Sequence, residues 1–137
     1  MKILKSIAFI FSYFWKKYNM WIIKSGIIFS ILSIVIGAFG AHALANVIAD
    51  KIEVFKTAVQ YQIFHALGLI VIGIIAKTCS VDLNIVAYLI ISVIILFSGS
   101  LYMISIYKIS YFGMITPVGG ALFIIGWSVL LFKISNF

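Results

Sequence analysis

Ile85-Val86-Ala87-Tyr88-Leu89-Ile90-Ile91-Ser92-Val93-Ile94-Ile95-Leu96-Phe97-Ser98-Gly99-Ser100-Leu101-Tyr102-Met103-Ile104-Ser105-Ile106-Tyr107 runs without a single charged residue. It exceeds the roughly 20 apolar residues a helix needs to cross the hydrocarbon layer of a bilayer. No soluble core strand or helix needs such a run, so the stretch predicts a transmembrane helix. Three further windows share its character: about Ile22 to Ala43, Val59 to Ala76 and Thr116 to Phe132. The second and fourth are short, and continuation of the helix into the interface makes up the length. The expected fold is all-α, a polytopic bundle of four transmembrane helices over residues 21–137.

The rest of the composition agrees. Of 137 residues, 65% are hydrophobic and 9% charged, against about a quarter charged in soluble domains. That apolar content is more than one soluble core of this size hides, which leaves the lipid bilayer as the main partner. The net charge of +7 comes from ten lysines set against Asp50, Glu53 and Asp82. The lysines sit in short gaps between apolar runs, a pattern of membrane topology rather than of a nucleic-acid surface. With the N-terminus inside, Lys2, Lys5, Lys16, Lys17, Lys24, Lys77 and Lys133 are cytoplasmic, and Lys51, Lys56 and Lys108 lie outside. The positive-inside bias therefore predicts an inner (plasma) membrane protein with both termini cytoplasmic.

The segment Met1 to Met20 precedes the first span. Lys2, Lys5, Ser12 and Lys16 recur along one helical face, as in an interfacial amphipathic helix. A cleaved signal peptide is the rival, but Tyr13 to Lys17 stand where small residues would mark the cleavage site. Asp50 followed by Glu53 has capping-box spacing and predicts a helix start ahead of the second span. Thr116-Pro117 predicts a cap with proline at the first helical position of the fourth, a kink inside a longer span being the alternative. Trp15, Trp21 and Trp127 read as interfacial anchors, although Trp127 lies deep for that role.

Function in such a chain is sought among polar residues inside the spans. None of the three carboxylates falls within them, which argues against proton coupling through a buried acid. It also leaves His42 and His65 without the acid partner that serine-hydrolase chemistry needs. Both histidines are assigned to the outer half of the membrane. Tyr61 and Gln62 share the helical face of His65. The third span brings Ser98, Ser100 and Tyr102 to that side, and the fourth begins there with Thr116. These eight residues form the candidate polar pocket. The bland reading is that they hydrogen-bond neighbouring helices. Two histidines alone make an incomplete metal-ligand set, and bis-histidine haem ligation has only two ring nitrogens to support it. Neither metal nor cofactor is expected. Lone Cys79 can form no intramolecular disulfide. Ser33, Gly37 and Ala41, with Gly119 and Gly120 on the fourth span, form small-residue surfaces suited to close helix approach.

Several of these motifs occur together in a known family. Gly37-Ala38-Phe39-Gly40-Ala41-His42-Ala43-Leu44, Tyr61-Gln62 with His65-Ala66-Leu67, Phe97-Ser98-Gly99-Ser100-Leu101-Tyr102, and Thr116-Pro117-Val118-Gly119-Gly120 with Gly126-Trp127 resemble domain of unknown function 423. Its animal relatives are called transmembrane protein 256. The resemblance covers about Trp21 to Lys133 and implies a four-helix inner-membrane protein. It carries over no catalytic residue. The expected role is therefore a non-enzymatic interaction or assembly component, in a homo-oligomer or with other membrane proteins. A small oligomeric transporter or channel is the first alternative. A metal-, haem- or quinone-binding redox protein using His42 and His65 is the second.

Overall fold

The computed structural model describes Ser6, Ile7 and residues 20–135. The amphipathic helix expected over Met1 to Met20, with Trp15, falls almost wholly outside the described residues. Helix α1 spans Met20–Ala41. A tight turn, closed by the Leu44 amide on the Phe39 carbonyl at 2.9 Å, leads into the single turn α2 (Ala45–Ile48). A 3-10 turn, Ala49–Lys51, then feeds the 27-residue α3 (Ile52–Thr78). Helix α4 covers Asn84–Tyr107. A second 3-10 turn, Ser110–Met114, precedes α5 (Ile115–Ser135). Four helical stretches are long and apolar enough to cross a membrane, Met20–Ala41, Ala45–Thr78, Asn84–Tyr107 and Ser110–Ser135.

Two expected helix starts are corrected. Asp50 and Glu53 form no capping box, because α3 has no side-chain cap and the chain is already helical from Ala45. With few amides left free there, the two carboxylates turn to lysines instead. Glu53 accepts from Lys56 Nζ at 2.8 Å, and Asp50 accepts from Nζ of Lys108, which sits in the turn after α4. Thr116 is likewise not a cap, since α5 begins one residue earlier after helical backbone from Ser110. Its hydroxyl donates back to the Phe112 carbonyl at 3.3 Å. Pro117 still falls in the first turn of α5, where amides lack intrahelical acceptors in any case. At the opposite end Asp82, one residue ahead of the N-cap Leu83 of α4, accepts from the Asn84 amide at 2.9 Å.

The long helices do not close into a symmetric bundle. Helix α1 packs along α3, α3 along α4, and α4 along α5 with close backbone approach, while α5 reaches α3 through side chains alone. This open row puts α3 and α4 in the middle. Leu69, Ile72 and Ala76 of α3 meet Ala87, Ile90, Val93 and Ile94 of α4 in a fully enclosed seam. The outer helices keep broad apolar faces exposed, including Ile28, Ile34 and Phe39 on α1 and Ile124, Leu131 and Phe132 on α5. Exposed side chains of that size are stable only against lipid or another protein.

Candidate functional site

The α1–α3 seam is built by small residues, in a phase different from the expected one. Ser33 is common to both. Gly26 and Gly40, one heptad to either side of it, are buried with it on α1. A Cβ on Gly26 would come within 2.7 Å of the Ala66 carbonyl oxygen and 2.9 Å of the Ile70 amide. Gly40 fits the Phe55 ring just as closely. Gly37 stands off from Val59 at ordinary van der Waals distance, and Ala41 is exposed. On α5, Gly119 makes the close approach, to Phe97, while Gly120 lies further from the same ring.

This closeness lets polar side chains bridge helices. Ser33 Oγ donates to the Val59 carbonyl at 3.2 Å. Buried Gln62 joins three helices. Its amide donates to the Phe29 carbonyl of α1 at 3.1 Å, and its carbonyl oxygen accepts from Tyr102 OH of α4 at 2.9 Å. The Tyr102 ring also packs on Phe55, with centroids 5.5 Å apart. Ser100 and Thr116 share a hydrogen bond at 3.0 Å between α4 and α5. Trp21 Nε1 donates to Asn84 Oδ1 at 2.9 Å, tying the start of α1 to the start of α4. Ser98 Oγ is buried without a hydrogen-bond partner among the described residues.

The eight candidate residues therefore divide. Gln62 and Tyr102 are bonded to each other, and Ser100 and Thr116 form a second pair. His42 belongs to neither. It is exposed in the turn after α1, beyond Gly40, which is level with Phe55. At 1.5 Å of rise per residue, His65 lies about 15 Å further along α3 than Phe55. The two histidines do not share a site, and no group of three or more His, Cys, Asp or Glu suited to a metal occurs among the described residues.

His65 occupies the midpoint of α3, with its ring stacked on Phe123 of α5 at a centroid distance of 3.4 Å and an interplanar angle of 17°. Its Nδ1 lies 2.8 Å from the Tyr61 carbonyl. A carbonyl only accepts, so Nδ1 carries the proton, and in the neutral ring Nε2 keeps its lone pair. Nε2 has no hydrogen-bond partner among the described residues. Trp127 reaches from α5 to rest on Gly68 of α3, with its ring centroid 6.1 Å from that of His65. It is thus a packing residue rather than an interfacial anchor. Between α3 and α5 these rings line an open groove of about 610 Å³, walled also by Gln60, Tyr61, Phe64 and Ile124. Sequence reasoning did not bring Phe123 or Trp127 to His65. Their spacing of four on α5, one helical face, was the available signal.

A family profile described as "Protein of unknown function (DUF423)" matches residues 36–120. The UPF0382 membrane protein SH2409 of Staphylococcus haemolyticus is 42% identical over 113 residues, 82% of this chain and 93% of the relative. The UPF0382 membrane protein YwdK of Bacillus subtilis is 44% identical over 109 residues, 77% of this chain and 89% of the relative. No solved structure matches. With four apolar helices long enough to span a bilayer and relatives of this similarity over most of its length, the chain belongs to the DUF423 family of membrane proteins.

Proposed function

We propose that this chain is a non-enzymatic interaction or assembly component of a bacterial-type inner membrane, with both termini in the cytoplasm. The observation that carries the reading is Gln62. The most polar uncharged side chain buried in the spans spends its amide on α1 and its carbonyl on α4, as a strut does. Catalysis would ask for a nucleophile, a base and an orienting acid within reach of one another, whereas the carboxylates here lie at helix ends beside lysines and backbone amides. The exposed apolar faces of α1 and α5 are the natural contact surfaces for partner helices, whether from other membrane proteins or further copies of the chain.

The test is photo-crosslinking in intact membranes from residues substituted at Phe39 and Ile34 on α1 and at Phe132 on α5. Discrete protein adducts support the reading. If crosslinks go only to lipid while purified protein in liposomes conducts solute flux, the small-transporter alternative replaces it. Topology is read separately from the single exposed thiol, Cys79. A membrane-impermeant maleimide should label it only after the cells are opened.

A further inference from the structure

The α3–α5 groove has the chemistry of a ligand site, and its polar ring atoms are not those that bond α3 to α1 and α4. We propose that it binds the ring of a lipid-soluble hydroquinone, with a ring hydroxyl donating to His65 Nε2. This does not depend on the assembly reading above.

Four observations converge on that ligand class. First, the acceptor is real and unused: the Tyr61 carbonyl fixes the proton on Nδ1, and Nε2 is left without a partner on a side chain that is only 4% exposed. Ser98 Oγ, not Nε2, is the buried unpaired side-chain atom among the described residues; Nε2 keeps open surface on a residue that lines the groove, where hydrocarbon offers it no donor. Second, depth restricts the donor. His65 lies six residues inside the apolar window Val59 to Ala76, about 9 Å of rise from its outer end. That places the ring within the hydrocarbon, where a charged ligand is strongly disfavoured. The ligand must dissolve in the hydrocarbon and carry only weakly polar groups.

Third, the walls are aromatic. Phe64 lies edge-on to His65 with centroids 5.1 Å apart, Phe123 covers one face, and Trp127 stands 6.4 Å from Phe64. Flat rings pack well among such side chains. Trp127 Nε1–H, with no hydrogen bond among the described residues, adds a donor to the acceptor on His65. A hydroxyl is the simplest group that both donates and accepts. Fourth, the volume of about 610 Å³ falls within the roughly 300–1,000 Å³ of small-molecule sites. The groove opens on the side of α5 where Ile124 is 70% exposed, which gives a bilayer-borne molecule a lateral entrance.

The experiment uses full-length protein in quinone-free phospholipid nanodiscs, with Trp15→Phe and Trp21→Phe so that emission reports Trp127. A short-tailed naphthohydroquinone is titrated under anaerobic reducing conditions, then its oxidised naphthoquinone. The expected result is saturable quenching by the hydroquinone, with a midpoint roughly fivefold to tenfold lower than for the quinone, the worth of one hydrogen bond. His65→Phe keeps a ring for stacking on Phe123 and should abolish that preference. Ile124→Phe narrows the entrance from the lipid side without touching the core and should weaken both ligands. Linear, unsaturable quenching would overturn the proposal, as would equal midpoints for the two redox forms or an unchanged preference in His65→Phe. Spontaneous disulfide dimers of Ile124→Cys that also block the quenching would give the groove to a second copy of the chain instead.

Discussion

Helix α3 meets α1 and α5 in opposite ways. Against α1, the small residues Gly26, Ser33 and Gly40 bring the backbones close enough for Ser33 and Gln62 to reach carbonyls of the neighbouring helix. Against α5, the bulky rings of Phe123 and Trp127 span the gap, and the helix backbones stay apart. In the first seam the polar groups are satisfied within the protein. In the second, His65 spends Nδ1 on the Tyr61 carbonyl and Nε2 has no partner among the described residues. Lipid tails are as apolar as leucine, so helix association in a bilayer comes from packing and hydrogen bonds rather than the hydrophobic effect. Backbone approach, set by side-chain size, decides which polar groups become glue and which stay available.

The strongest way to break that contrast is Gly26→Leu. The added atoms meet the backbone of Ala66 and Ile70, which cannot swing aside. Overpacking of this kind costs about 1–3 kcal/mol or more, and the variant should show the largest fall in melting temperature in detergent. Gly99→Ala is the control, since nothing lies within 4 Å of its Cβ position, and it should melt as the parent does. Next comes the strut. Tyr102→Phe and Gln62→Leu each remove the α3–α4 bond, and a double-mutant cycle should return a coupling of about 0.6 kcal/mol, with about 1.7 as an upper bound. A coupling indistinguishable from zero would remove Gln62 from the role given it here.

His65→Phe sharpens the comparison from the other side. The substitution keeps the ring on Phe123 and loses only an intrahelical hydrogen bond, so the melting temperature should move less than in Gln62→Leu. A larger loss would make His65 part of the scaffold.

The smallest effect belongs to the exposed pair at the helix ends. The Lys108 ammonium, hydrogen-bonded to Asp50, holds its carboxyl below the ordinary 3.8. A lowered carboxylate stabilises the fold at pH values above its unfolded one, and that contribution is lost as the pH falls through the folded value. Melting temperature should therefore be insensitive to Lys108→Gln in strongly acid buffer, and only slightly lowered by it at neutral pH. Exposed ion pairs contribute little. Equal shifts at both pH values would mean that the lysine acts through packing.

The four spans were legible because hydropathy over some twenty residues is a property of the chain itself. Uninterrupted runs such as Ile85 to Tyr107 leave the backbone one way to satisfy its polar groups in lipid, an α-helix. The polar residues themselves were legible for the same reason. Their pairing was not. Gln62 with Tyr102 and Ser100 with Thr116 were singled out within one pocket, yet they form two separate pairs, and His42 belongs to neither. Assignment to the same side of a membrane leaves depth and rotation open, and both determine which residues touch.

The small-residue stripe shows the limit most sharply. Ser33-Gly37-Ala41 and Gly26-Ser33-Gly40 are both helical faces through Ser33, and beyond Lys24 no face of α1 carries a charge. In water, a polar face would select the inward one; in a bilayer every face of such a helix is acceptable, so rotation is set by complementarity with α3. That this chain spans a membrane as four helices follows from its residue order, because the requirement is local and each run meets it alone. Which glycines touch, which polar groups pair, and that His65 rather than His42 faces an aromatic groove were decided by tertiary structure, because those depend on how two surfaces fit.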